Sequence, residues 1–271
     1  MDTVYFNGSW LPRESSKARA LLNKLFSFRG AFETMRGCGG KVYLLERHLN
    51  RLTKGCVAAG VRPPDRSLLK KSLSSFLAAG ETGLRLAVFS YQGKPAILVS
   101  SRQRPDEAAY AKGFTAVLLK PAGHPNSAGP HVKSLQRAFY TRLARQARQK
   151  GSDEALFLSK GLLVEGSRTN IFLIKDAKVF TPALSSGCLE GITRKRVLDL
   201  LKGAGLKPQE ARLKKEDLFS SDEIFLTNAL IGVMPLTRLC GKAVGRGRPG
   251  RLTLSVRKVY ENDVEKTCAI L

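Results

Sequence analysis

The sequence predicts an α+β protein with two α/β domains. Its 271 residues are enough for one large or two medium hydrophobic cores. Helical and strand-like apolar patterns alternate along the chain without any repeat of 20–50 residues. A segment rich in Pro, Gly, Ser and Asn interrupts these patterns at 120–130. We therefore divide the chain into an N-terminal α/β domain, a linker and a C-terminal α/β domain at 1–119, 120–132 and 133–271.

Regular apolar patterns predict the elements of the first domain. Apolar residues recur at intervals of three and four over 45–59, which is typical of a helix with one buried face. A second helix is predicted over 67–79. Short apolar runs bounded by Gly, Asn or Pro predict strands, and these cover 4–8, 31–36, 41–45, 83–90, 96–101 and 115–119.

The second domain begins with a strongly basic helix, which is predicted over 134–150. Further helices are predicted over 193–203 and 257–268. The strands predicted between them cover 154–159, 170–174 and 224–227. Helices and strands therefore occur in both domains.

The charge is the unusual feature of the composition. Lys and Arg number 46 and Asp and Glu number 22, which gives a formal net charge of +24. Such a charge attracts polyanions without sequence specificity. It suits equally well an enzyme whose substrate and cofactor are anions, and it is also typical of a plain solvated basic surface. Composition alone leaves these three interpretations open.

No membrane or targeting segment is visible, and we expect a cytoplasmic protein. The apolar runs are shorter than the ~18 residues that a transmembrane helix needs, and the first residues lack the basic and apolar regions of a signal peptide. The cysteines are odd in number, far apart and without a Cys-x-x-Cys pair, so we predict neither a disulfide framework nor a zinc site. They are Cys38, Cys56, Cys188, Cys240 and Cys268.

Three segments place reactive or anion-binding groups near predicted turns. Lys133 follows the linker, and a lysine that loses its proton can bond to a carbonyl carbon. Glu165 lies in a turn before an apolar strand, where a carboxylate can keep a pyridine nitrogen protonated. Gly191, Ile192 and Thr193 open a helix whose free N–H groups suit a phosphate. Each segment alone also fits a structural interpretation, namely a solvated lysine, an exposed turn glutamate or a capped helix start.

Six short motifs occur in the order found in class IV aminotransferases. They are Phe32-Glu33-Thr34-Met35-Arg36, His48-Leu49-Asn50-Arg51-Leu52, Lys133, Glu165-Gly166 to Asn170, Gly191-Ile192-Thr193-Arg194 and 226–236. The chain thus resembles this family, which includes branched-chain aminotransferases, D-amino acid aminotransferases and aminodeoxychorismate lyases. The resemblance implies the D-amino acid aminotransferase-like fold, pyridoxal 5'-phosphate in a cleft between the domains, and a homodimer.

The resemblance also assigns the residues that would act on the cofactor ring and the substrate. Lys133 would attach the cofactor covalently and move protons at the substrate carbon. Glu165 would contact the pyridine nitrogen, and Asn170 would steady the turn of Glu165. Arg85 lies where the family often has a basic residue that binds the substrate.

A second group of residues would hold the cofactor phosphate. Arg51 resembles a phosphate ligand of the family, and the backbone groups of Ile192 and Thr193 would join it. Asn228 lies where the family has a small polar residue near the phosphate. These assignments come from the resemblance, because the charge pattern does not distinguish Lys133 or Arg51 from the other basic residues.

The sequence favours a lyase among the activities of the family. The segment Lys133-Ser134-Leu135-Gln136-Arg137 and the segment 228–236 are similar to those of aminodeoxychorismate lyases. The expected reaction releases pyruvate and 4-aminobenzoate from 4-amino-4-deoxychorismate, a small anionic amino substrate. The alternative is an aminotransferase of branched-chain or D-amino acids, and departures from the family pattern at 27–30 and 89–91 keep it open.

Two four-residue matches indicate rivals of a different class. Arg246-Gly247-Arg248-Pro249 resembles the core of an AT-hook, which lies in the DNA minor groove, so a nucleic-acid-binding protein is the rival function. Cys268-Ala269-Ile270-Leu271 matches a prenylation box, whose lipid would anchor the protein to a membrane. Both matches are short, and we expect neither nucleic acid nor a membrane as a partner.

Overall fold

The computed structural model describes residues 2–78, 82–120 and 132–269. They form two compact units, each with helices and strands, and this confirms the predicted α+β fold class. Among the described residues, the first unit takes those up to 104, 132–138 and those from 264 onward. The second unit takes those of 105–120 and 139–263.

The first unit is built on an antiparallel sheet. Its elements are β1 (Thr3–Phe6), β2 (Ser9–Pro12), α1 (Ser16–Lys24), β3 (Gly30–Cys38), β4 (Lys41–Val42), α2 (Leu45–Ala58), α3 (Arg66–Ala78), β5 (Gly83–Tyr91) and β6 (Lys94–Ser101). The strands follow the order β2-β1-β6-β5-β3-β4. β3 therefore lies near one edge, between β5 and the short β4.

Helix α2 packs closely against β3. Its buried face carries Leu49 and Leu52, spaced as the periodicity predicts, and they join the core beneath the sheet. Gly55 allows the close approach, because a Cβ atom there would lie 2.8 Å from the Cβ of Ala31. The same approach brings the polar residues of α2 to β3.

The second unit contains a longer, mixed sheet. The elements that follow β6 in the chain are α4 (Glu107–Lys112), β7 (Phe114–Leu119), α5 (Ala138–Gln149), β8 (Glu154–Ser159), β9 (Leu162–Gly166), β10 (Asn170–Lys175), β11 (Lys178–Pro182), α6 (Ile192–Gly203), β12 (Gln209–Ala211), α7 (Lys215–Phe219), β13 (Glu223–Asn228), β14 (Gly232–Leu239), β15 (Lys242–Ala243) and α8 (Arg251–Ala269). The strand order is β12-β11-β10-β13-β14-β7-β8-β9, and β15 pairs with β14.

The division of the chain differs from the predicted boundaries of 1–119, 120–132 and 133–271. Strand β7 was expected in the first domain, but it pairs in parallel with both β8 and β14 of the second sheet. Residues 105–119 therefore belong to the second unit. Most of the predicted linker, 121–131, lies outside the described residues.

The segment 132–138 belongs to the first unit, and it corrects the helix predicted over 134–150. Ser134 bridges to Ala31, and Leu135 is buried in the core of the first unit. The backbone carbonyl of Lys133 accepts a hydrogen bond from the N–H of Phe32 at 3.2 Å. Because these backbone groups pair with β3, helix α5 begins only at Ala138.

The structure contains a disulfide that the cysteine spacing did not predict. Cys38 at the end of β3 is bonded to Cys268 near the end of α8, and the two Cα atoms are 5.9 Å apart. The expectation of no disulfide was wrong, because a pairing across 230 residues depends on tertiary structure and leaves no local spacing. Cys56 and Cys188 are buried free thiols, and Cys240 is exposed.

The described helices do not include a candidate membrane span. Within residues 2–78, 82–120 and 132–269, every helix is too short or too polar to cross a bilayer.

Candidate active site

Glu33 is a fully buried carboxylate in β3, and two side chains of α2 bind it. Arg51 donates from Nε to Oε1 at 2.7 Å and from Nη2 to Oε2 at 2.8 Å. The Nδ1 atom of His48 lies 2.7 Å from Oε2. His48 and Arg51 are three residues apart, so they share one face of the helix. The two contacts of Arg51 fix the plane of its guanidinium group.

The protonation states in this cluster follow from burial and charge. Burial would raise the pKa of Glu33, but the charge and hydrogen bonds of Arg51, together with His48, lower it to about 2. Burial lowers the pKa of His48, although the hydrogen bond to Glu33 opposes this. At neutral pH Glu33 is therefore an ionised acceptor. A carboxylate cannot donate, so the Nδ1 atom of the neutral His48 carries the hydrogen.

Lys133 lies beside this cluster in the first unit. Its Nζ atom is 4.9 Å from the centroid of the Phe32 ring, and Phe32 precedes Glu33 in β3. The charge of Lys133 contributes to the lowered pKa of His48. The structure thus brings together Lys133 and Arg51, two residues that the sequence analysis assigned separately.

Arg85 is a mostly buried cation among other cations. Its Cζ atom is 4.9 Å from the ring centroid of Phe26 and 5.4 Å from that of Phe32. Burial, with the charges of Arg102 and Arg137, lowers its pKa to about 9. The Nε atom of Arg85 is buried without a hydrogen-bond partner in the part of the chain that the structure describes. A buried guanidinium in a positive environment is a suitable binding group for an anion.

Glu165 in β9 is the central carboxylate of the second unit. Its Oε1 atom accepts a hydrogen bond from the Tyr140 hydroxyl at 2.8 Å. Its Oε2 atom accepts from the backbone N–H of Leu189 at 3.0 Å and from Nδ2 of Asn170 at 3.2 Å. The side chain is only 4% exposed, so these donors replace water around the charge.

A second buried carboxylate, Glu154, shapes the turn that follows Glu165. It accepts hydrogen bonds from the backbone N–H and hydroxyl of Ser167, from the N–H of Arg168 at 3.2 Å and from the hydroxyl of Thr169 at 3.0 Å. The turn between β9 and β10 is therefore tied to the start of β8. This fixes the positions of Glu165 and Asn170 at its two ends.

The start of α6 adjoins the same carboxylate. Asn170 donates from Nδ2 to the carbonyl of Leu189 at 2.9 Å as well as to Glu165. A Cβ atom on Gly191 would lie only 2.0 Å from Oδ1 of Asn170, so this position needs glycine. Ile192 and Thr193 are the first residues of the helix, and their N–H groups have no partner within it.

Asn228 ends β13, and its amide side chain holds the turn into β14. Its Oδ1 atom accepts from the N–H groups of Leu230 and Ile231 at 2.9 and 3.0 Å. Its Nδ2 atom donates to the carbonyl of Arg168 at 3.1 Å. The side chain therefore links two turns of the second unit, those that follow β9 and β13.

The motifs and the fold agree with the comparison to known protein families. The model of the family described as amino-transferase class IV matches residues 30–239. The chain belongs to the class IV aminotransferases. Enzymes of this family use pyridoxal 5'-phosphate, so the cofactor prediction is confirmed at the level of the family.

Individual relatives of this class IV aminotransferase carry aminotransferase names. The chain is 27% identical to the D-alanine aminotransferase of Bacillus licheniformis, over 96% of each chain. It is 37% identical to the branched-chain-amino-acid aminotransferase of Pseudomonas aeruginosa, over 51% of this chain and 45% of the relative. The crystal structure of the Escherichia coli branched-chain amino acid aminotransferase has the same fold, with a TM-score of 0.81, 23% identity and coverage of 96% and 93%.

The residues of this chain fit the cofactor of the family. Glu165 is a buried carboxylate that hydrogen-bond donors hold on both oxygens, which suits a contact with a ring nitrogen. The free N–H groups at the start of α6 suit a phosphate, and Gly191 before them leaves room for the side chain of Asn170. When bound, pyridoxal phosphate supplies an electron-accepting ring that stabilises negative charge at the substrate carbon.

Three residues of these clusters received no role from the sequence. Glu33 and His48 lie in quoted motifs, but their contact depends on the packing of α2 against β3. The signal that could have found Glu33 is a carboxylate inside an otherwise apolar strand, because such a charge needs buried partners. Tyr140 carried no signal, since its contact with Glu165 is set by tertiary structure.

Proposed function

We propose that this enzyme transfers an amino group between an amino acid and a 2-oxo acid. The observation that carries the proposal is the match over 96% of both chains with a relative named D-alanine aminotransferase. The similarity to branched-chain enzymes adds to it. These comparisons favour an aminotransferase of branched-chain or D-amino acids, the alternative considered from the sequence, over the expected lyase.

The proposal gives Lys133 the catalytic role. It would attach the cofactor and then carry the proton that moves at the substrate carbon. Its Nζ atom and the Cζ atom of Arg137 lie 4.9 and 5.3 Å from the centroid of the same Phe32 ring. Glu165 would face the pyridine nitrogen, and Asn170 would keep its carboxylate in place.

The phosphate of the cofactor would be held by Arg51 and by the N–H groups of Ile192 and Thr193. Arg51 is pre-oriented by Glu33, so it loses little freedom on binding an anion. Asn228 would shape the neighbouring backbone, because its side chain is used in its own turn. The position of the cofactor in a cleft between the domains stays a prediction.

Arg85 would bind a carboxylate of the substrate, and Arg137 would assist it. The Cζ atom of Arg137 lies 5.3 Å from the centroid of the Phe32 ring, which Arg85 also contacts. Two guanidinium groups on one ring form a positive surface suited to a second carboxylate. We therefore propose a dicarboxylic substrate in one half of the reaction.

The test is a panel of amino donors given to the cofactor-loaded protein with 2-oxoglutarate or pyruvate. L-leucine, L-valine, D-alanine and D-glutamate cover the two named activities and both stereochemical classes. Product 2-oxo acid that forms with wild type and not with Lys133→Ala would support the proposal. A cofactor-loaded wild type that transfers no amino group from any donor would overturn it.

The second candidate is the lyase, which the segment from Lys133 to Arg137 favours. Its test is release of 4-aminobenzoate when the loaded protein receives 4-amino-4-deoxychorismate. Release at a rate above that of transamination would replace the first proposal by the second.

A homodimer and a cytoplasmic location remain proposals. Size-exclusion chromatography with light scattering should give about twice the 29.6 kDa mass of one chain. A single-chain mass at working concentration would contradict the dimer.

A further inference from the structure

The ring of Tyr140 is fixed beside the strand pair that carries Glu165. Tyr140 lies near the start of α5, and its ring makes edge contacts with Phe139 and Phe157 at centroid distances of 5.4 and 6.0 Å. Phe157 in β8 is the direct partner of Glu165 in β9. Packing therefore aims the hydroxyl of Tyr140 at the carboxylate, where it donates a hydrogen bond at 2.8 Å.

The hydrogen bond from Tyr140 complements those from the other side of the carboxylate. Leu189 and Asn170 donate to Oε2, whereas Tyr140 donates to Oε1. Donors on both oxygens restrict rotation of the carboxylate about its last bond. Hydrogen bonds to a carboxylate also favour its ionised form.

An ionised carboxylate matters because of what Glu165 would contact. A proton shared by a carboxylate and a ring nitrogen stays on the nitrogen only while the carboxylate is the weaker base. We propose that Tyr140 is a positioning residue, which keeps Glu165 ionised and oriented and thereby keeps the cofactor's ring nitrogen protonated. This inference rests on the proposed role of Glu165.

The first experiment compares wild type with Tyr140→Phe, which keeps the ring and removes only the hydroxyl. Cofactor binding is measured by quenching of protein fluorescence during titration with pyridoxal phosphate. The pH midpoint of the bound cofactor's absorption bands is measured in the same samples. We expect the Kd for pyridoxal phosphate to rise about tenfold, because a hydrogen bond to a charged group is lost, and we expect the absorption midpoint to shift.

The matched control is Tyr110→Phe. The hydroxyl of Tyr110 is buried in the same unit and donates to the carbonyl of Ile231 at 2.9 Å, so this variant also loses one hydrogen bond of a tyrosine. It should lose a similar amount of thermal stability and leave the Kd and the absorption midpoint unchanged. Equal effects of the two variants on cofactor binding would overturn the inference.

A double-mutant cycle tests whether Tyr140 acts through Glu165. In a Glu165→Gln background, Tyr140→Phe should change the Kd for pyridoxal phosphate by less than about twofold. A tenfold effect that persists in this background would contradict the mechanism. These assays contain no amino donor, so a protein that binds the cofactor normally but transfers no amino group would overturn the proposed function alone.

Discussion

The guanidinium group of Arg51 contacts both carboxylate oxygens of Glu33, with nitrogen–oxygen distances of 2.7 and 2.8 Å. Glu33 is completely buried and Arg51 is 15% exposed, so the pair joins the interior of the first unit to its surface. The carboxylate therefore serves both the stability of the core and the orientation of the cation that we propose for phosphate binding.

Replacing Glu33 by Gln should strongly destabilise the protein. The amide removes the negative charge and leaves Arg51 beside a neutral group, and breaking a buried ion pair in this way costs about 3–5 kcal/mol. Urea denaturation of the two proteins measures the difference. The control is Glu14→Gln, which breaks the exposed pair with Arg19 and should cost less than about 1 kcal/mol. Equal losses of unfolding free energy in the two variants would show that burial does not make the Glu33 pair more stabilising than an exposed pair.

The stability that Glu33 contributes should depend on pH in the acidic range between its folded and unfolded pKa values. Its pKa in the folded protein is about 2, below the value of 4.5 for an unperturbed glutamate, so the folded state binds fewer protons. The contribution is then fully present above pH 4.5 and is lost as the pH falls from 4.5 toward 2. Denaturation of wild type and Glu33→Gln at several pH values checks this. The difference in unfolding free energy between wild type and Glu33→Gln should narrow on acidification. A difference that stays constant would contradict the assignment of Glu33 as an ionised carboxylate.

Gly191→Ala should weaken cofactor binding. The new Cβ atom would lie 2.0 Å from Oδ1 of Asn170, so Asn170 must move away from Glu165 or the start of α6 must shift. We expect the Kd for pyridoxal phosphate to rise more than about tenfold, measured by absorbance titration. Gly203→Ala is the control, because nothing lies within 4 Å of its Cβ position, and it should bind normally with a gain of about 0.5–1 kcal/mol in stability. Normal binding by both variants would remove Gly191 from the cofactor site.

Arg85→Gln should discriminate between acceptors with one and two carboxylates. If Arg85 binds the second carboxylate, the KM for 2-oxoglutarate should rise about 10- to 100-fold, and the KM for pyruvate should change little. Steady-state kinetics with each acceptor give the ratio of the variant's KM to that of wild type. Arg62→Gln, at an exposed arginine of the same unit, should leave both values unchanged. A parallel rise for both acceptors would assign Arg85 to a carboxylate common to the two.

Local sequence patterns predicted the helices and strands better than they predicted which elements pair or pack with each other. The periodicity over 45–59 gave α2 nearly to the residue, because one helix face is buried. The placement of β7 depends on parallel pairing with β8 and β14, and sequence alternation does not encode such long-range pairing. The helix expected from Ser134 starts four residues later, since tertiary hydrogen bonds to β3 replace those of a first turn.

The candidate site was predictable to the extent that short motifs carry it. The family resemblance selected Lys133, Arg51 and Glu165, but each residue alone is one charge among many in this basic chain. Their supports, Glu33 and Tyr140, belong to other elements, and the contacts exist only after packing. The sequence identified the groups proposed to act on a cofactor, whereas the structure identified the residues that orient those groups by hydrogen bonds.

The bond between Cys38 and Cys268 makes nearly the whole chain a covalent ring. A protease that cuts one exposed loop between these residues would open the ring without releasing a fragment. On a non-reducing gel the nicked protein would still migrate as one species. The two pieces would separate only after a reducing agent cleaves the disulfide. A single band on a non-reducing gel is therefore no measure of an intact backbone in this enzyme until the disulfide has been reduced.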